Sequence, residues 1–387
     1  MVTIETADNA LKSYYLDAVK DVLDYKINPF LAKLEHSSVD VTGKDVRKLV
    51  RVGISGGIGA GTETGNLPTS RTAQRVQLVS SLKNLYGTLE ISDKAIRASA
   101  NNEGAFVNLL NEEIETLIKG ASFHFGRMLF GDGSGRLATV VTAMNNEIVV
   151  DSVNNIVEGM VVDVYKDDEP IATAQQCMVT SVDRENKIFY LDGAPGATSS
   201  WEDAEIYVHN GKENELTGLL GVFNNDELYG LNKEEYTFMR PHIRIDVGDI
   251  SENVIQRTID FLEENTGSRT NFIICSWGVK RALMEYYRNL STVLPTVEFE
   301  NGEKAMAING VPVVADRFCP KGTMYLLNTN DFKLHQLCDW KWLEGEDGKI
   351  LKQVPGKPVY TATLVKYAEL MCERPCGQAM ITGIKEK

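Results

Sequence analysis

Apolar residues recur at three- and four-residue steps from Asn102 to Phe130: Phe106, Leu110, Ile114, Leu117, Ala121, Phe125 and Met128. This is the helical period, with Asn108, Glu112, Glu115, Lys119 and Ser122 repeating on the other side. The run predicts one uninterrupted helix that ends at Gly131-Asp132-Gly133-Ser134-Gly135, where glycines favour a turn. At 1.5 Å per residue it makes a rod of roughly 40 Å. The heptad pattern is not strict, so the rod reads as a beam across an elongated domain rather than a coiled coil.

Before that beam the chain has two thinly apolar regions. Leu11, Tyr15, Val19 and Val22 line one face of a helix predicted from Asp8 to Tyr25, which Asn28-Pro29 ends; Phe30 to Leu34 adds a short apolar turn. A helix this short is marginal unless it lies on a surface. From Val46 to Ile54 and again from Arg71 to Ile91 the pattern alternates, on either side of a tip from Gly56 to Pro68. Two extended runs around such a tip predict a long β-hairpin over 46–92. An isolated two-stranded hairpin is barely stable in water, so it too needs a partner surface.

After the beam, Leu137–Met144 predicts a strand. Short strands then follow at close spacing over 145–222: Glu147–Val150, Met160–Lys166, Cys177–Asp183, Lys187–Leu191 and Glu205–His209. Turn-rich pieces separate them, which predicts a small antiparallel barrel or sandwich inserted into the host fold. Residues 223–338 return to α/β alternation. A helix starts near Asp249 and Glu252 and stops at Gly267; Phe272–Cys275 is a strand, and Ser276 caps a second helix. Asn309-Gly310 predicts a type I′ hairpin between Ala305–Ile308 and Val311–Ala315. Strands at Thr323–Leu327 and Phe332–Leu337, an acidic piece with Trp340 and Trp342, a long strand Val359–Cys372 and a last strand Ala379–Ile384 complete the chain. The long strand spans roughly 45 Å at ~3.3 Å per residue, enough to lie beside the long helix.

Composition narrows the function classes. The 387 residues suffice for two or three domains and carry a net charge of −14. A protein that neutralises phosphates over a wide face is basic, so extensive nucleic-acid binding is not expected. No apolar run reaches membrane-span length. The opening residues lack the basic and apolar regions of a secretory signal. Six scattered cysteines suit reduced thiols.

Candidate chemistry is sparse. Gly56 to Gly61 has the glycine spacing of a P-loop, but Thr62 and Glu63 stand where lysine and a hydroxyl are required, and no helix is predicted to follow. The tip therefore reads as a flexible turn. Five separated histidines form no ligand-spaced motif, Cys372 and Cys376 are not a Cys-x-x-Cys pair, and the helix carboxylates Glu112, Glu113 and Glu115 read as a solvated face. No catalytic residue, cofactor or metal is expected.

The order of elements resembles the major capsid protein of tailed phages, the HK97-like fold. Local texture carries the resemblance: Leu85 to Ser92 leading through the helix to Phe130-Gly131-Asp132-Gly133-Ser134-Gly135, the segment Leu216 to Val222, and the closing Glu369 to Pro375 and Ile381 to Ile384. It covers nearly the whole chain except 145–222. It implies an α+β fold with an N-terminal arm (1–45) and an extended hairpin loop (46–92). A peripheral domain with a spine helix (93–144 with 339–373) and an axial domain (223–338 with 374–387) follow, with 145–222 as an inserted β domain. The implied function is a shell subunit forming hexamers and pentamers of an icosahedral virus head around double-stranded DNA, assembled in the host cytoplasm and located in the virion. Implied partners are sibling copies, a portal and decoration proteins; since the sequence opens at Met1, scaffolding is expected as a separate protein. Weak contact with DNA and none with membrane are expected. Glu63, Arg71, Arg75, Lys83, Leu11, Tyr15 and Phe30 are the expected inter-subunit contacts. Two other classes fit less well: an encapsulin-like compartment, which shares the fold, and an α/β enzyme using 223–338.

Overall fold

A computed structural model describes residues 28–66, 68–69, 71–94, 103–192, 199–290, 296–298, 304–345 and 348–387. The helix expected over 8–25, and with it Leu11 and Tyr15, lies outside the described residues.

The strand Val359–Cys372 has the predicted bounds and forms the centre of a sheet. One edge pairs antiparallel with Lys83–Ser92, from Val359↔Ser92 to Ala368↔Lys83. The other pairs antiparallel with Phe332–Trp342, onto which Glu35–Ser37 adds in parallel. Ala362, Leu364, Val365, Ala368, Leu370 and Met371 are all fully buried, as befits a strand covered on both faces.

Two expected boundaries change here. Phe332 to Trp342 is one strand, so the break expected at 338/339 falls inside an element of the central sheet. Register irregularities between Gln336 and Cys338 and between Cys338 and Lys341 interrupt its alternation, which is why the pattern reads as a strand end. Lys83–Ser92 likewise belongs to the central sheet and not to the hairpin; period-two alternation cannot reveal where a strand changes partner.

The long helix spans Glu103–Met128 and packs on Lys83–Ser92. Ile114, Ile118 and Phe125 are buried, while Glu115 and Lys119 form an exposed pair at 3.7 Å. Gly87 permits the close approach: a Cβ there would lie 3.0 Å from Leu117 Cδ1. Ser122, expected on the polar face, is buried and donates to the Ile118 carbonyl at 2.8 Å.

The hairpin proper joins Asp45–Val52 to Gln74–Ser81, in register from Asp45↔Ser81 to Val52↔Gln74. Val46 and Leu78 are fully buried against the body. Its root is fixed by Val79 N donating to the Tyr229 carbonyl at 3.1 Å and by Lys48 between Asp40 (2.7 Å) and Glu373 (3.5 Å).

Beyond the long helix, six strands close a barrel in the order Cys177–Asp183, Ile188–Leu191, Glu147–Val150, Arg136–Met144, Glu205–Val208, Val161–Lys166 and back to Cys177–Asp183. Closure leaves no free edge and surrounds a core of its own, including Ile148, Val162, Phe189 and Ile206. The barrel begins at Arg136, nine residues ahead of the boundary read at 145, because Arg136–Met144 pairs with both Glu147–Val150 and Glu205–Val208.

The remaining sheet runs His242–Arg244, Ala379–Ile381, Met324–Leu327, Phe272–Cys275, Val311–Ala315, Lys304–Ile308 and Thr296–Glu298. Glu252–Thr266 and Trp277–Asn289 are its helices, and both contribute to its core. The first is capped by Ser251, whose Oγ accepts from Val254 N, rather than from Asp249, and it ends at Gly267 with φ 63°. Ser276 caps the second as expected. Asn309 and Gly310 have φ of 50° and 81°, the both-positive pair that a type I′ turn requires.

Candidate assembly surfaces

The hairpin leaves apolar side chains uncovered. Ile54 is 87% exposed, Ile58 82% and Leu49 57%, and Val39 beside the root is also open. Glu63, Arg71 and Arg75 are exposed as well. Arg75 stands directly opposite Arg51. Two like charges across a strand pair repel, so this end of the hairpin gains from a carboxylate brought by something else. Among the described residues no helix follows the tip glycines before the strand Gln74–Ser81, so they serve a turn and not a phosphate cradle.

Two of the expected contact residues have partners within the protomer. Phe30 is completely buried in its own protomer, with ring centroids 5.6 Å from Phe332 and 6.2 Å from Phe130. Its side chain has no surface left for a neighbour. An apolar residue in a thin segment reads as unpartnered, whereas Asn28 holds this turn down: its Oδ1 accepts from Phe30 N and Leu31 N at 3.0 and 3.1 Å. Lys83 sits at the start of a central-sheet strand, and its Nζ donates to the Glu213 carbonyl at 2.8 Å.

A second surface was not legible in sequence. The long helix, the strand Lys83–Ser92 and the loop after the barrel enclose a trough of about 700 Å³. Leu117, Phe125 and Trp340 supply apolar wall; Asn84, His124 and Asn210 supply polar groups. Burial, helped by the Arg127 charge, pushes His124 down to about 4, so its imidazole is neutral at pH 7. At one end Arg127 and Glu215 form a buried bidentate pair. These residues are scattered over more than a hundred positions, and no spacing in the chain links them.

The titratable groups elsewhere hold structure together. Lys233, pushed down to about 8 by burial, donates to the carbonyls of Val222 and Phe223 and so finishes the short helix Leu219–Asn224. Asp163 accepts from Gln176 N and Asn210 N and faces His209 Nδ1 at 3.0 Å, joining parts of the barrel. Among the described residues no group of histidine, cysteine and carboxylate side chains could hold a metal ion. No described helix is long and apolar enough to cross a membrane.

No family model matches the chain, and no characterised protein matches it by sequence. Solved structures do. The chain is similar to the cyanophage A-1(L) capsid protein, with a TM-score of 0.57 at 12% identity over 94% of this chain and 96% of that one. It is also similar to the SrpI encapsulin of Synechococcus elongatus PCC 7942, with a TM-score of 0.50 at 9% identity over 95% of each chain. At such identities the likeness is one of fold, and it spans nearly the whole of each molecule.

Proposed function

We propose that this chain is the major capsid subunit of a tailed phage, forming hexamers and pentamers of a shell around double-stranded DNA. The carrying observation is the hairpin: it presents Leu49, Ile54 and Ile58 to solvent on a protomer whose fold is that of shell-forming proteins. Each such side chain gains about 1.5–3 kcal/mol on full burial. A surface of a sibling copy is the natural cover, and the trough beside the long helix has apolar walls to offer it. Glu63, Arg71 and Arg75 would then pair across the contact.

In this reading the long helix and central sheet form the peripheral domain. The sheet from His242 to Ile381, with its two helices, forms the axial domain at capsomer centres, and the barrel is an inserted module. A scaffold, a portal and decoration proteins are the other expected partners, with assembly in the host cytoplasm.

The likeness to an encapsulin supports a second reading, a compartment loaded with protein cargo. Sedimentation and negative-stain microscopy of the expressed chain test assembly: closed shells, tubes or capsomers are expected. A persistent monomer at high concentration overturns the proposal. Shells that co-purify with an enzyme cargo and take up no DNA favour the compartment.

A further inference from the structure

The barrel meets the C-terminal α/β sheet at a cleft made of two cavities of about 380 and 420 Å³. Both cavities are lined by Arg184, Arg317 and Lys321; one adds Trp277 and Arg281, the other Lys187. The cleft walls carry five cations against Asp151, Glu185, Asp316 and Glu386, a slight positive excess in a chain of net charge −14.

Their partners show which charges remain available. Arg184 is engaged by Glu158 in a bidentate pair, and Arg281 Nε donates to the Lys387 carbonyl. Arg317, Lys321 and Lys187 are exposed and make no ion pair among the described residues. The Arg317 guanidinium lies over the rings of Phe123 and Phe318, 4.9 and 5.1 Å from their centroids, which fixes it without neutralising it.

Four carboxylates share the walls, and the hydrogen bonds three of them accept orient them without removing their charge. Glu386 accepts from Ser276 Oγ and Gly322 N at the start of the helix Trp277–Asn289. Asp151 accepts from Thr139 N and Ser152 N. Asp316 is buried and accepts from Phe318 N; burial pushes its carboxyl up to about 6 against the pull of the adjacent Arg317 charge, so at pH 7 it is ionised and offsets part of that charge. Asp151, Glu185 and Glu386 are all exposed.

At the rim stands Trp277, 55% exposed, with Lys280 Nζ 5.5 Å from its ring. The other three tryptophans, Trp201, Trp340 and Trp342, are each at most 6% exposed. An open indole beside unpaired cations is what a nucleic-acid strand uses: phosphates take the charges and a base stacks on the ring. A chain of carboxylates alone, such as polyglutamate, would use the cations but has no ring to stack on the indole.

We propose that this cleft binds a short single-stranded nucleic-acid segment, its phosphates held by Arg317, Lys321 and Lys187 and a base stacked on Trp277. The inference goes beyond the shell reading and does not depend on it, since a chain that assembles normally can lack this site. With three cations engaged, log K should fall against log salt with a slope of about −2.

Trp277 supplies the measurement. Titration of the full chain with oligothymidylate at low salt should quench tryptophan emission in a saturable way, with that salt slope. W277F should abolish the emission change while a labelled oligothymidylate still shows binding by anisotropy. K321E, at an exposed position, should weaken binding at least about threefold per charge reversed, and R317E/K321E at least about tenfold, with unchanged circular dichroism. Absence of both quenching and anisotropy change in the parent chain overturns the proposal. Equal competition by polyglutamate overturns it in favour of an acidic-peptide site.

Discussion

Arg127 and Glu215 face each other in a buried bidentate pair, with Nη1 2.8 Å from Oε2 and Nη2 2.5 Å from Oε1. Both side chains are at most 5% exposed. The pair ties the last turn of the long helix to the segment that leaves the barrel. Removing one partner leaves a charge buried alone, a loss of about 3–5 kcal/mol, whereas replacing both with apolar residues is much milder. R127M and E215L should each lower the denaturation midpoint sharply, and R127M/E215L should recover most of it. Chemical denaturation of the three variants checks this, and additive losses would contradict it.

Just after that pair, Gly218 lies against the helix end. A Cβ there would overlap the carbonyl groups of Met128 and Leu129, while Leu219 N donates to the Leu129 carbonyl at 2.8 Å. G218A should therefore cost about 3 kcal/mol even though it adds one methyl group. G120A, where a Cβ meets nothing within 4 Å, is the control and should be neutral or slightly stabilising. Thermal melts of both separate a steric cause from a general effect of losing glycine.

Glu369 gives the fold a pH dependence. It is fully buried on the long strand, its Oε1 accepts from Thr217 N at 2.9 Å, and its Oε2 has no partner. Burial pushes the carboxyl up to about 8. The unfolded chain releases this proton near pH ~4.3, so the folded state holds a proton that the unfolded state has lost. This contribution is complete below the unfolded value and is lost as pH rises through about 8. E369Q keeps the acceptor without the titration. Its melting temperature should match the parent near pH 5 and exceed it by several degrees near pH 9; parallel pH profiles would refute the assignment.

The hairpin tip is the assembly prediction. Residues 56–68 bear Ile58 and Glu63 outside the hydrogen-bonded register, which ends at Val52↔Gln74. Their deletion should leave the melting temperature of the protomer within a degree or two, because the described residues of this stretch are exposed, with Gly57 half-buried. It should abolish closed shells in negative-stain fields. Normal shells from the deletion would remove the tip from the assembly contact.

The chain itself determined the elements wherever periodicity or turn chemistry was local. The long helix, the strands of the barrel, the bounds of Val359–Cys372, the Asn309-Gly310 turn and the stop at Gly267 are all legible, because each depends on residues a few positions apart. Tertiary structure decided who pairs with whom. Alternation looks the same in a hairpin strand and a sheet strand, so only the fold could assign Lys83–Ser92 to Val359–Cys372 and carry Phe332 through its irregularities to Trp342. Burial of Phe30, the Arg127–Glu215 pair, the trough and the cation-lined cleft unite residues up to hundreds of positions apart, and no local pattern encodes such distances.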